Sequence, residues 1–250
     1  MEIPPTTIDS IQRFYGLMAR TRAIRSRMVE QCLRSLPVDE QDVSSLRNGL
    51  DALKAVAGSP RGAVLAIDAD RRGTFDLGYE IAELEKDMVY LTEGEEALYR
   101  YLARIHEGFE RHLDHLLTVV GDISFRNWIS DRDGTVNNYC GRYLSSIQSA
   151  YNAVFLTLFA RRCVRNAVIL TSAPLENPGL VDISTAPPGT FFYAGSKGRE
   201  YRDTDGRRGA YDIAPAQQGK LDELNRRIKA VLRKPANEKY GMIGSGFQPK

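Results

Sequence analysis

The sequence predicts an α/β protein with a helical region in front of it, and three observations carry this. Apolar residues recur at helical spacing through much of the first 120 residues. Between 126 and 195 strand-like and helix-like runs alternate, the pattern of a parallel sheet with crossover helices. A hairpin signal and an amphipathic run follow after 200. Composition allows such a core, because 42% of the 250 residues are hydrophobic, which is ordinary for a globular chain. The 34 basic and 32 acidic residues nearly cancel, so there is no electrostatic footprint for a nucleic-acid partner. No apolar run approaches the ~20 residues of a membrane span. The start, "MEIPPTTIDS", lacks the basic-then-apolar pattern of a signal peptide. Cys32, Cys140 and Cys163 are widely spaced, form no metal pattern and suggest a reducing compartment. The expectation is a soluble, cytoplasmic protein with neither membrane nor nucleic-acid partner.

The elements follow in order. Ile8, Ile11, Tyr15, Met18, Met28, Cys32 and Leu36 have roughly helical spacing, interrupted by the basic patch from Arg20 to Arg27, and Pro37 ends the run. Val43, Leu46, Leu50, Leu53 and Val56 mark a second helix closed by Gly58 and Pro60. "AVLAI" at 63–67 reads as a strand or a buried turn. The clearest helix is 95–120, where Leu98, Leu102, Ile105, Phe109, Leu113, Leu116 and Val120 form a continuous stripe expected to be buried. "FRNWIS" then leads into paired aspartates, and a helix follows at about 143–162 with Leu144, Ile147, Tyr151, Val154, Phe155 and Leu158 on one face. "NAVILTS" and "GTFFYAGS" read as strands, and "EYRDTDGRRGAYDI" as a hairpin around Asp205-Gly206. "GKLDELNRRIKAVLRK" reads as an amphipathic helix with Leu221, Leu224, Ile228 and Leu232 inward, and "YGMIGSGFQPK" starts like a strand. The expected organisation is a helical region over 1–120, an α/β core over 121–200 and a further segment over 201–250.

The chemistry concentrates in "SDRDGTV". In an open parallel sheet, ligands bind at the carboxyl ends of the strands. Asp131 follows "NWIS" and Thr171 follows "AVIL", so parallel neighbouring strands would bring the two to one edge. A carboxylate there can attack phosphorus to give an aspartyl-phosphate. A second acid two residues on, Asp133, can protonate the leaving oxygen. Mg²⁺ would offset the repulsion between carboxylates and phosphate. Gly134 allows a sharp turn whose N–H groups, with Thr135, can hold phosphate oxygens.

"SDRDGTV" resembles the first motif of haloacid-dehalogenase-like phosphatases, and "VILTSAPL" resembles their second, an apolar strand ending in Thr or Ser. "FFYAGSKGREY" is similar to the third strand of the sugar-phosphatase branch, especially trehalose-6-phosphate phosphatases, and "YGMIGSGFQPK" looks like part of that branch's α+β cap. The resemblance covers about 125–250, and none is found for 1–120. It implies a Rossmann-like core over 121–200 and the start of a cap over 201–250. It makes Asp131 the nucleophile and a Mg²⁺ ligand. Asp133 becomes the general acid/base, with its backbone carbonyl on the metal, and Thr171 a hydrogen-bond donor to the phosphoryl group. Alignment on Pro174-Leu175 favours Thr171 over Ser172, which stays a substrate contact beside Gly134 and Thr135. Lys197, Arg199 and Glu200 fall where core meets cap and are candidate substrate contacts. The implied activity is Mg²⁺-dependent hydrolysis of a sugar phosphate, trehalose 6-phosphate being the best guess.

Asp68 and Asp70 follow a better apolar strand, but Arg71 and Arg72 displace the turn, and they read as exposed turn residues. His106, His112 and His115 share no single helix face. Cys140 reads as a structural thiol, and "ARRCVR" and "NRRIKAVLRK" as solvated faces. The family also needs a lysine at the phosphoryl site and a further acidic pair, normally after the cap, and neither is found. The chain therefore reads as the front part of a phosphatase and is expected to have little or no activity by itself. The alternative is a non-catalytic module in which 1–120 packs as an antiparallel bundle and mediates self-association or docks a partner enzyme, such as a sugar-phosphate synthase.

Overall fold

The computed structural model describes residues 2–57, 62–137, 142–176 and 179–234. Helix α1 (Ile11–Leu33) starts at Ser10, whose hydroxyl accepts from the Arg13 N–H. It runs unbroken through the arginine-rich stretch, contrary to the expected interruption. Arg20, Arg22 and Arg27 keep some exposure, and Arg25 is buried in an ion pair with Asp87 at 2.6 Å. Helix α2 (Glu40–Ala57) matches its apolar pattern; Gly58 and Pro60 lie outside the described residues. Strands β1 (Ala63–Ala66) and β2 (Arg72–Phe75) form an antiparallel hairpin.

Helix α3 (Gly78–Glu93) has no counterpart in the sequence reading. Its buried face is mostly charged, so the apolar periodicity that marks a helix is absent. The expected single helix over 95–120 is two, α4 (Glu95–Ile105) and α5 (Phe109–Val120). They separate at Gly108, which takes a left-handed φ of 70°. The stripe is not buried: α4 buries only Ala97 and Leu98, and α5 buries nothing.

Strand β3 (Asn127–Asp131), helix α6 (Ala150–Arg162), strand β4 (Asn166–Leu170), short helix α7 (Leu180–Ile183) and strand β5 (Phe192–Gly195) give the expected alternation. Helix α6 begins later than expected, because 143–145 form a separate 3₁₀ turn. Strands β6 (Glu200–Arg202) and β7 (Arg208–Ala210) form the expected hairpin, with Gly206 at φ 84° in its turn. The sheet order is β3-β4-β5-β6-β7, parallel across the first three and antiparallel thereafter. Helix α8 (Pro215–Leu232) fully buries no residue; of the four residues expected inward, Leu221, Ile228 and Leu232 are half-buried and Leu224 is exposed. The predicted strand over 240–250 lies outside the described residues.

The helical region and the sheet region share a core. Phe14, Leu17, Ile24, Leu46, Leu53 and Leu84 pack in one cluster with Ile147 and Ile183 from the α/β part. A second cluster joins Val29 of α1 to Ala150, Ala153 and Val154 of α6. A third, with Ala167, Ile169, Leu175, Phe191 and Tyr193, lies under the sheet. Burial of this size is the main favourable term holding the two regions together.

Candidate active site

The site forms where β3 and β4 end side by side. Their register pairs Asp131 with Leu170, and the Arg132 N–H donates to the Leu170 carbonyl at 3.0 Å. The next residue of β4, Thr171, therefore arrives beside the 131–133 segment, as the parallel reading required. The chain then turns back on itself. The Arg132 carbonyl accepts from the N–H groups of Val136 (3.0 Å) and Asn137 (2.9 Å), and Gly134 sits at φ 88°. A Cβ at Gly134 would meet no neighbouring atom, so the demand for glycine is conformational and not steric.

Asp131 and Asp133 differ in their surroundings. The Asp131 carboxylate is exposed and makes no hydrogen bond or ion pair to a described residue. Asp133 is held from two sides. Arg132 forms an ion pair with one carboxylate oxygen, and the Thr171 hydroxyl donates to the other at 3.5 Å. The Thr171 hydroxyl also accepts from the Ala173 N–H at 3.0 Å, which fixes its rotamer. Thr171 is buried and Ser172 beside it is exposed, so Thr171 is the hydroxyl held at Asp133.

Arg132 is a residue that sequence reasoning missed. It occupies the unspecified position between the aspartates, yet it is only 2% exposed. Its guanidinium donates to the Ser146 hydroxyl at 3.1 Å and to the Ser146 carbonyl, and lies 6.0 Å from the Tyr143 ring centre. Burial pushes the Tyr143 phenol well above its ordinary range, so it stays neutral beside this cluster. No local pattern signals the arrangement, because the partners of Arg132 come from the 143–146 turn.

Lys197 and Glu200 approach from β5 and β6. The Lys197 N–H donates to the Thr171 carbonyl at 3.3 Å, and Lys197 itself takes a left-handed φ of 59°. Glu200 accepts from the Leu175 N–H at 3.2 Å and from the Ser196 hydroxyl, so its carboxylate braces the turn that carries Lys197. The Arg199 carbonyl accepts from the Tyr211 N–H at 2.8 Å and ties the segment after β7 to the same turn. Gly195 is required by close packing, since a Cβ there would lie 2.8 Å from Leu175.

The helical region reaches this loop directly. The Asn137 side-chain amide donates to Tyr79 of α3 at 3.2 Å, and Asn152 of α6 donates to the Val136 carbonyl at 2.8 Å. Arg142 donates to both carboxylate oxygens of Glu80 at 2.8 Å. The rival aspartates fall elsewhere. Asp68 and Asp70 sit in the exposed β1–β2 turn, where Asp68 accepts from the Asp70 and Arg71 N–H groups and pairs with Arg71. His106 follows α4, whereas His112 and His115 lie on α5. Among the described residues no three His, Cys, Asp or Glu converge as a metal cluster, and no helix is long and apolar enough to cross a membrane. Cys140 lies outside the described residues.

Comparison with known proteins bears on both halves. Residues 10–107 match the family model described as trehalose-6-phosphate phosphatase N-terminal helical bundle domain, and residues 128–250 match that described as trehalose-6-phosphate phosphatase, C-terminal. The first match extends the resemblance to the helical region, where motif reading had found none. Over 98% of its length the chain is 30% identical to a Caenorhabditis elegans protein named alpha,alpha-trehalose-phosphate synthase [UDP-forming] 2, and it covers 21% of that relative. It is 26% identical over 97% of its length to a Caenorhabditis briggsae trehalose-phosphatase, covering 63% of it, and 33% identical over 49% of its length to a Brugia malayi trehalose-phosphatase, covering 25%. The chain thus spans about a fifth of the length of the synthase-named relatives it matches. In both halves, and in the order in which they follow one another, the chain matches the trehalose-6-phosphate phosphatase family.

Proposed function

We propose that this chain carries the nucleophile-bearing part of a phosphomonoesterase that in its full-length form hydrolyses trehalose 6-phosphate through an aspartyl-phosphate; without the family's phosphoryl-site lysine and second acidic pair, the chain by itself is expected to turn over little or not at all. The observation that carries the reading is the strand-end triad: an exposed Asp131 carboxylate with no partner among the described residues, Asp133 two residues on, and Thr171 delivered to Asp133 by the parallel neighbour. Asp131 attacks phosphorus, the P–O bond to the sugar breaks, and Asp133 gives its proton to the departing sugar oxygen. Asp133 then takes a proton from water, whose oxygen displaces phosphate from Asp131 and restores the free carboxylate. Arg132 orients Asp133 for both transfers. The Thr171 hydroxyl and the N–H groups at Gly134 and Thr135 hold phosphoryl oxygens, with Ser172 as a further donor. Lys197 brings positive charge to the same strand edge, and Arg199 and Glu200 shape its sugar side.

The donor set suits Mg²⁺, a hard cation bound by one or two carboxylates together with substrate phosphate. The free Asp131 carboxylate and the Asp133 backbone carbonyl would hold it, and when bound it would offset the negative charge gathered at the strand ends. The test is phosphate release from trehalose 6-phosphate by the purified full-length protein with and without Mg²⁺. Asp131→Asn is expected to lower turnover by at least ~10³-fold, and undiminished release would remove Asp131 as nucleophile.

A second reading concerns the helical region. Leu116, Leu117 and Val119 are each more than half exposed on α5, a surface suited to self-association or to a partner enzyme. Sedimentation of wild type and Leu117→Glu at increasing concentration separates these, because a self-associating α5 predicts lighter species for the variant.

A further inference from the structure

We propose that the seam between α1 and the α/β core holds a second ligand site, one that takes a neutral sugar of about one pyranose ring. A cavity of about 240 Å³ opens there. None of Asp131, Asp133, Thr171 or Lys197 lines it, so the proposal stands independently of the phosphatase reading.

One wall is a polar stripe on α1. Arg22, Ser26 and Glu30 fall at i, i+4 and i+8 and share a helix face, spanning ~12 Å. Arg22 is anchored by donating to the Ser184 carbonyl at 2.9 Å and the Val181 carbonyl at 3.3 Å. In the middle, the Ser26 hydroxyl is buried and has no hydrogen-bond partner among the described residues. A hydroxyl shut away from both water and protein partners costs free energy unless a guest supplies the bond. The facing wall comes from the segment after α7 and from β5 and β6, with Thr185, Tyr193 and Arg202 among its side chains.

The lining selects the ligand class. Arg22 and Arg202 are matched in number by Glu30 and Asp203, so an ionic guest would unbalance the site. A sugar hydroxyl both donates and accepts, and can serve an arginine, a carboxylate and Ser26 in turn. Phe191 and Tyr193 close the cavity from the core side as buried residues. The volume lies just below the ~300 Å³ at which drug-sized pockets begin, which restricts the guest to a single ring. Because the walls belong to two regions, a bound sugar would clamp their junction. Strand β5 also leads straight into the turn carrying Lys197, so occupancy would reach the strand ends.

The experiment uses the purified protein with glucose as probe, read by saturation-transfer NMR and by the thermal midpoint. Saturable binding with a rise in midpoint is expected. Ser26→Leu, which fills the middle of the stripe, should weaken binding by at least about tenfold. It also controls for the general stabilising effect of sugars as excluded osmolytes. Asp131→Asn should bind glucose as wild type does. Absence of saturable binding, equal binding by Ser26→Leu, loss in Asp131→Asn, or tighter binding of glucose 6-phosphate than of glucose would each overturn the proposal. If Ser26→Leu does not fold, Glu30→Ala, a truncation of an exposed side chain, carries the test: weaker binding supports the site and unchanged binding overturns it.

Discussion

Helix α3 buries Glu80, Glu83, Lys86 and Asp87, whereas α5, with the clearest apolar stripe in the chain, buries no residue. Every buried charge on α3 is matched. Both Glu80 carboxylate oxygens accept from one terminal nitrogen of Arg142, Lys86 pairs with Glu83, and Asp87 pairs with Arg25. Asp87 also accepts from the N–H groups of Ala150 at 2.7 Å and Tyr151 at 3.2 Å. These open α6, whose own Ser149 makes no side-chain cap, so Asp87 caps that helix from another element. Helix α5 meets α4 through an edge-on contact of Tyr99 with Phe109, and leaves Leu116 and Leu117 facing outward. An apolar stripe defines the face a helix can bury, but it supplies nothing to cover it. Charge is tolerated inside where the fold brings a partner to each group.

The largest effect is expected from Asp87→Ala. It strands Arg25, whose two terminal nitrogens lack hydrogen-bond partners among the described residues, and it uncaps α6. A loss on the order of 3–5 kcal/mol is expected in urea unfolding, and a loss under ~1 kcal/mol would mean that α3 does not hold the junction.

Burial pushes the Asp87 carboxyl from 3.8 up to about 6, against the opposing pull of Arg25. Between those values the folded protein holds a proton that the unfolded chain has released. The contribution of this group is therefore fully present below about pH 4 and is lost as pH rises through about 6. The stability of wild type relative to Asp87→Asn should shrink across that window, and a difference that grows with pH would refute the assignment.

Smaller effects belong to the exposed helices. Gly108→Ala forces a side chain onto a left-handed residue between α4 and α5 and should cost about 1 kcal/mol. A gain in helicity by circular dichroism would mean that α4 and α5 can fuse into the single helix their sequence suggests. Leu117→Glu should change monomer stability by no more than ~0.5 kcal/mol; a larger loss would show that α5 is covered after all.

Legibility followed the range of the interaction. The turn at Asp131–Thr135, the strands ending at Asp131 and Leu170, the third strand and the Asp205-Gly206 hairpin were all readable, because each is encoded in a few adjacent residues. The break at Gly108 was local too, but the regular stripe on either side outweighed a single glycine. Helix α3 was invisible for a different reason: its inward face is charged, and its burial depends on Arg25 and Arg142, each 62 positions away along the chain.

The sequence alone therefore determined the alternation of strands and helices, the sharp turn after β3, and the residue types that meet at the strand ends. These rest on backbone periodicity and on glycine's access to positive φ, which are properties of neighbours in the chain. Only tertiary structure decided that Arg132 turns inward to hold Asp133, that Asp87 caps α6, that α5 lies bare, and that a cavity opens behind α1. Each of these depends on which surfaces exclude water together, and desolvation is set by elements far apart in sequence.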